Sequence, residues 1–266
     1  MFDCYNRKIN YLRISITDRC NLRCIYCMPE EGVPLIGHHL IMPYEEIVKV
    51  VREAVTLGID KVRLTGGEPL VRRGVEDLVA MIAAIPGIRD FGLTTNGTLL
   101  EKFAPILKKA GLHRVNISLD AVNPTHYRKL TRGGDVEQVF RGIEAAKQAG
   151  LTPVKINCVV QHSSEEQDAR EVREYCRMHN LEIRFIHQMS LEDGCFTTVE
   201  NGDGGDCSRC SRLRLTANGK IKPCLFNDIE FDIHELGIRE ALVQAINLKP
   251  EKGTVNTVNA FNNIGG

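Results

Sequence analysis

The sequence predicts an α/β fold: six parallel strands closed, or nearly closed, into a barrel, followed by a smaller C-terminal extension. Three observations predict it. Strand-like apolar runs alternate with amphipathic helical runs from residue 11 to 189. The unusual residues, among them cysteines and GGEP, NG and SLD, fall in the loops that follow strands. After Met189 the alternation gives way to the polar, glycine-rich stretch SLEDGCFTTVENGDGGD. The expected units are therefore 1–190, the barrel, and 191–266, the extension.

The elements follow in order. YLRISIT (11–17) reads as the first strand. The segment 43–58 spaces Ile47, Val50, Val51, Ala54 and Leu57 at helical intervals, and Gly58 stands where a helix would stop. IDKVRLT (59–65) is the second strand, and 74–87 a helix closed by Pro86-Gly87. DFGLTT (90–95), a helix over 99–111, HRVNISLD (113–120) and a helix over 136–150 come next. TPVKINCVVQ (152–161) is the fifth strand. The charged helix 163–180 has Ser163 or Ser164 as its expected N-cap, and LEIRFIHQM (181–189) is the sixth strand. In the extension, RLRLTANGKIKPCLF (212–226) reads as a hairpin with ANGK at its turn.

Composition narrows the function. The 266-residue chain carries 34 basic and 34 acidic residues, which argues against a general nucleic-acid or membrane-surface role. No apolar run is long enough to span a bilayer and the first residues carry no hydrophobic signal core, so a cytoplasmic enzyme is expected. In that compartment ten cysteines point to metal or catalysis rather than disulfides. Six form two sets: Cys20, Cys24 and Cys27, then Cys207, Cys210 and Cys224. Cys158 and Cys176 read as small buried apolar residues, and Cys4 and Cys195 are uninformative.

Structural zinc takes four ligands, and each set offers three thiols. The histidines nearest the sets are His38 and His39 for the first and His234 for the second. Three thiolates suit a [4Fe–4S] cluster with one open iron, so the spacing favours two clusters over zinc without excluding it.

CNLRCIYC (20–27) resembles the signature of radical S-adenosylmethionine (SAM) enzymes, and GGEP (66–69) is similar to their second motif. That resemblance implies an incomplete (β/α)6 TIM-like barrel, and a first cluster whose open iron binds SAM. One electron would cleave the sulfonium to a 5′-deoxyadenosyl radical. Further stretches, including KVRLTGGEPLVRRG, GLTTNGTLL, VNISLDA, CSRCSRLRLTANGKIKPCLF and the terminal IGG, resemble the molybdenum-cofactor GTP 3′,8-cyclases (MoaA).

The narrower resemblance implies a lyase that joins C8 of guanine to C3′ of the ribose in GTP, with the second cluster anchoring the purine. Matching positions assign Arg13, Lys61, Arg63, Lys155 and Arg184 to triphosphate or ribose, although strand cations can equally be paired with glutamates. Arg212 and Arg214 match the catalytic arginines, and Gly265 and Gly266 the tail that enters the site. Gly66, Gly67, Glu68, Thr94, Asn96 and Ser118 match SAM-binding positions; Asn96 and Asp120 could equally form turns. An electron donor such as flavodoxin or ferredoxin and a downstream cyclic pterin synthase follow from the pathway, and a homodimer is compatible with it. No nucleic-acid or membrane partner is expected.

The chain departs from the family between the sixth strand and Cys207, where it is short, and FIHQMS stands where FIEFMP is usual. His187 there reads as a packed or solvent-facing side chain ahead of a ligand. Two alternatives stay open: a radical SAM paralogue acting on another substrate such as a peptide, and a non-catalytic metal-binding protein.

Overall fold

The computed structural model describes residues 1–258 and 261–264; Gly265 and Gly266, expected at the substrate, lie outside the described residues. Among the described residues nine strands form one sheet in the order β6-β5-β4-β3-β2-β1-β7-β8-β9. The first six, β1 (Tyr11–Ser15), β2 (Lys61–Thr65), β3 (Asp90–Thr95), β4 (Arg114–Ser118), β5 (Lys155–Val160) and β6 (Glu182–His187), pair in parallel in chain order. This is the open, barrel-like α/β sheet that the alternation predicts. The seventh, β7 (Arg212–Leu215), also pairs in parallel, with β1. β8 (Lys220–Lys222) and β9 (Phe231–Asp232) then run antiparallel.

Strand periodicity explains which side meets the helices. Side chains alternate between faces, and partners in parallel register share a face. Leu12, Ile14, Val62, Leu64, Phe91, Leu93, Val115, Ile117, Ile156, Leu213 and Leu215 fill one face and are almost wholly buried. Over it lie α1 (Tyr44–Thr56), α2 (Val75–Ala83), α3 (Leu100–Lys109), α4 (Pro124–Thr131), α5 (Val136–Gln148) and α6 (Gln167–Met178). The 3.6-residue spacing of apolar side chains in α1 gives its buried stripe of Ile47, Val50, Val51 and Ala54. Gly58 follows the helix at φ +95, a left-handed value that suits glycine, as the sequence predicts.

Two expectations need correction. α6 begins later than expected, at Gln167, and its N-cap is Glu166 rather than Ser163 or Ser164. The Glu166 carboxylate reaches back to accept from the amides of Gln161, His162 and Ser163, so it organises the turn that a serine hydroxyl was expected to cap. α4 was absent from the sequence reading; Asn123 caps it, accepting from Thr125 and His126 amides, with Pro124 at its first position.

The hairpin forms as predicted. Thr216 accepts the Lys220 amide on its hydroxyl (2.9 Å) and donates that hydroxyl to Asn218 (2.8 Å), closing the turn. Beyond it come α7 (Ile233–Leu236), α8 (Ile238–Asn247) and α9 (Phe261–Ile264). Ile264 and Leu191 join Leu225 and Phe226 in a small second core, with Phe196 stacked on Phe226 at 4.4 Å. Cys158 and Cys176 are buried, as expected for small apolar residues.

The loop after β3 is held by a glycine contact: a Cβ on Gly142, in α5, would collide with the Gly97 carbonyl and crowd Leu100. We predict that Gly142→Ala destabilises the fold by about 1–3 kcal/mol through overpacking. Urea unfolding checks this; an unchanged midpoint would mean that α5 can shift without penalty.

Candidate active site

The face of the sheet away from the helices is polar. In register across it lie Arg212, Tyr11, Lys61 and Asp90 in one row, and Arg214, Arg13, Arg63, Gly92 and Arg114 in the next. Thr94, Asn116, Lys155 and Glu182 form a third row, and Ser118, Asn157 and Arg184 a fourth. Nine residues expected at SAM or substrate (Arg13, Lys61, Arg63, Thr94, Ser118, Lys155, Arg184, Arg212 and Arg214) thus share one surface.

Neighbouring strands stand only about 4.8 Å apart, so cations in register repel. Burial, reinforced by neighbouring guanidinium groups, brings Arg13 down to about 9 and Arg214 to about 10. Arg63 is lowered too, chiefly by burial. Gly92 lies beside it, and a Cβ there would meet the Arg63 guanidinium in ordinary contact at 3.4 Å. Tyr11 sits among the cations, its ring 5.8 Å from the Arg63 and Arg212 guanidinium carbons. Burial pushes its hydroxyl up, yet Arg63, Arg13, Arg212 and Arg114 bring it below the ordinary tyrosine value. Two of the basic side chains have acidic partners. Arg114 grips Asp90 with two bonds of 2.8 and 2.6 Å, and Lys155 holds Glu182 at 2.5 Å. Among the described residues, Arg63 Nε and Thr94 Oγ1 are buried without a hydrogen-bond partner.

The first cysteine loop follows β1. Its backbone docks on the end of α4, where Arg23 and Ile25 amides donate to Thr131 (3.2 Å) and Leu130 (3.0 Å) carbonyls. Arg132 donates to the Arg23 and Met28 carbonyls from the other side. Tyr26 donates its hydroxyl to Asp120 at 2.7 Å, and the Val159 amide donates to the other Asp120 oxygen. Burial, with Asp120 and the neighbouring thiols adding, raises the Cys24 thiol to about 12, and burial with Cys20 raises the Cys27 thiol to about 11. The Cys20 sulfur accepts the Leu22 amide at 3.4 Å and the Asn96 side chain at 3.8 Å.

The GGEP loop packs against this segment. Gly67 and Glu68 amides donate to the Thr17 and Arg19 carbonyls, both at 2.8 Å. A Cβ on Gly66, at φ +154, would collide with the Thr17 carbonyl, and one on Gly67 with that of Arg19. The close backbone approach that the glycines permit is thus to the chain itself. Glu68 is buried and its carboxylate accepts from the Leu70 amide, the Thr95 hydroxyl and the Asn96 amide. Burial pushes it up to about 7 against those three bonds. Asn96 forms the turn that the sequence allowed, its oxygen accepting from the Thr98 amide and hydroxyl.

Of the second set, Cys210 stands just before β7 and Cys224 just after β8, close enough for the two sulfurs to interact. Burial raises Cys224, with Cys210 adding to the rise; Cys210 is brought below its ordinary value by Lys249 and Arg212 against the effect of burial. Amides two residues on, those of Arg212 and Phe226, donate to the Cys210 and Cys224 sulfurs, repeating the Leu22–Cys20 contact. Amide bonds to sulfur stabilise thiolate ligands and tune clusters, so both sets fit an iron–sulfur group chemically. Among the described residues, no three His, Cys, Asp or Glu side chains converge as a site for a single metal ion. His234 faces Glu46 and the Gly219 turn, at the other end of β8 from Cys224. His187 lies against Glu200 at 3.2 Å.

The model of the radical SAM superfamily matches residues 14–176. The GTP 3′,8-cyclase of Thermodesulfovibrio yellowstonii is 42% identical over 322 aligned positions covering 100% of both chains. The chain belongs to the GTP 3′,8-cyclase family of radical SAM enzymes. It is 41% identical to the cyclase of Alkaliphilus oremlandii over 95% of this chain and 94% of that one. The 322 aligned positions exceed the 266 residues here, so the alignment passes over segments that this chain lacks. Superfamily membership implies a [4Fe–4S] cluster and SAM. Among solved structures, Streptococcus suis SuiB bound to its precursor peptide superposes with a TM-score of 0.69 at 15% identity. That match covers 91% of this chain and 65% of SuiB, less than two thirds of its length. Methylornithine synthase matches with a TM-score of 0.59 at 16% identity over 95% of this chain and 77% of that one. At these identities the structures share the fold.

Sequence reasoning missed Tyr11, Arg114, Asn116 and Asn157, although two-residue steps from Arg13, Ser118 and Lys155 lead to them. It also missed Arg7 and Lys249, which act on the second set from far away in sequence. We predict that Gly66→Ala, forced against the Thr17 carbonyl, lowers stability by about 1–3 kcal/mol. Differential scanning fluorimetry reads the effect, and an unshifted transition would show that the two loops part easily.

Proposed function

We propose that this chain is a radical SAM GTP 3′,8-cyclase of molybdenum cofactor biosynthesis, converting GTP to (8S)-3′,8-cyclo-7,8-dihydroguanosine 5′-triphosphate. The observation that carries the reading is the in-register row Arg214, Arg13 and Arg63, a buried band of positive charge on the polar face of the sheet. Such a surface favours a highly charged anion, and arginine forks suit phosphate oxygens.

In this reading residues 1–190 form the radical SAM barrel and 191–266 the substrate-binding extension. Cys20, Cys24 and Cys27 hold the first [4Fe–4S] cluster, and Cys207, Cys210 and Cys224 a second. When bound, the first cluster supplies the electron that cleaves SAM to the radical that takes hydrogen from ribose C3′. The protein does the rest by position. Thr94, with its unpartnered hydroxyl, Ser118, Asn96 and the Gly66–Glu68 loop line the SAM side. Arg13, Lys61, Arg63 and Arg184 hold the triphosphate; Lys155 joins them by exchanging Glu182 for phosphate. Arg212 and Arg214 face the base and the developing charge, and Gly265 and Gly266 complete the chamber. A cytoplasmic flavodoxin or ferredoxin supplies electrons, and a cyclic pterin synthase takes the product.

The short linker before Cys207 supports a second reading, a paralogue with the same radical chemistry and another substrate such as a peptide. Anaerobically reconstituted protein incubated with SAM, dithionite and each nucleoside triphosphate separates the two. Mass spectrometry should find 5′-deoxyadenosine forming in step with a cyclised isomer of GTP, and not with ATP. Unchanged GTP beside slow 5′-deoxyadenosine release would overturn the GTP assignment. We further predict that Arg63→Met raises KM for GTP at least ~10-fold, since losing one charged contact to a buried anion costs about 2 kcal/mol or more. Steady-state kinetics at matched iron content would show it.

A further inference from the structure

The end of α8 leads into Lys249, whose ammonium is buried with only 2% of the residue exposed. It donates to the Arg212 carbonyl at 2.8 Å and the Pro223 carbonyl at 2.5 Å, and it also hydrogen-bonds to the Cys210 sulfur. Among the described residues no carboxylate lies within ion-pair distance of it. A buried ammonium held by two carbonyl dipoles and a thiol, with no carboxylate, is a poor arrangement, because desolvation of the full charge is offset only by partial charges. The two carbonyls belong to residues that follow Cys210 and precede Cys224, so the cation is fixed between the two ligand-bearing segments. Its third neighbour is a sulfur.

We propose that Lys249 is a positioning residue for the second cysteine set, a fixed counter-charge that holds the anionic iron–sulfur group on Cys207, Cys210 and Cys224. This rests on the reading that those cysteines carry a second cluster. Arg7 supports the same loop from the other side. Ion-paired to Asp3 at 2.6 Å, it donates to the carbonyls of Cys207 (2.7 Å), Pro250 (2.7 Å) and Glu251 (2.9 Å), and so pins the residues next to Lys249 onto the loop. A positive charge beside a cluster stabilises its reduced, more negative form. Lys249 therefore raises the potential of this cluster as well as its retention.

The test compares full-length, anaerobically reconstituted wild-type protein with Lys249→Gln, Lys249→Arg and the triple variant Cys207→Ala, Cys210→Ala, Cys224→Ala. Glutamine keeps an N–H donor for the two carbonyls and removes the charge. Iron and sulfide per chain are measured with an EPR-monitored redox titration and a thermal melt. The triple variant should lose half of the bound iron. Lys249→Gln should either lose that same half or keep it with a signal reduced only at lower potential, and Lys249→Arg should restore the wild-type values. Wild-type iron and potential in Lys249→Gln would overturn the inference, leaving Lys249 a carbonyl anchor. Full iron in the triple variant would instead overturn the second-cluster reading itself. If the glutamine chain fails to melt cooperatively, Lys249→Arg decides. The inference stands if the arginine chain keeps both clusters at the wild-type potential, and falls if it folds but loses the second.

Discussion

The arrangement on which the rest depends is a repulsion. Placing Arg214, Arg13 and Arg63 side by side on three adjacent strands is unfavourable for folding, because like charges about 4.8 Å apart in a partly desolvated setting oppose one another. The opposite face, packed by Leu12, Ile14, Leu64 and Leu93 against helices, contributes the hydrophobic stabilisation that holds the strands in register regardless. Asp90 neutralises Arg114 at the margin of the band. A surface maintained against its own electrostatics signals function, since stability alone would have placed neutral residues there.

Much of this was legible in the sequence for a simple reason: strands write both faces in alternate letters. YLRIS and KVRLT state the apolar side and the cationic side together, and the six strands were found in their places. The cysteine loop was equally plain, being local. What supports that loop was not. α4 is short and polar, and its signal is one Asn-Pro pair, yet its last turn receives the loop's backbone. Ser163 does not cap the helix because the helix starts later: its hydroxyl accepts the Glu165 amide within the preceding turn, which the Glu166 carboxylate holds by the Gln161, His162 and Ser163 amides. The hairpin could be read from ANGK, but the parallel pairing of its first strand with β1 could not, because no local pattern encodes a neighbour about 200 residues away.

The linker between β6 and the second cysteine set shows how a shorter chain can keep the frame. Glu200 pairs through its backbone with Phe185 in both directions, and Arg212 donates to the Asp203 carbonyl, so the linker lies along the free edge of β6 on its way to β7. It covers an edge that would otherwise present unpaired backbone groups. His187, where the relatives' pattern has an acid, is drawn into the same contact through Glu200. The departure from the family is thus concentrated at the rim of the sheet, and the charged rows are left intact.

Arg7 carries a consequence for how the molecule is made. Its bonds span 200 residues to Cys207 and more than 240 to Pro250 and Glu251, and β1 waits for β7 across a similar distance. The partners of the first cysteine loop, the end of α4, Arg132, the GGEP loop and Asp120, all lie within the first half of the chain, so it can form while the chain is still emerging. The second cannot exist until both ends have met. Synthesis therefore runs for many residues with β1 open along one side, a high-contact-order closure that comes last and slowest. The two cysteine loops inherit that order: the one after β1 is set early, and the one around Cys207 only after Pro250 and Glu251 have been made.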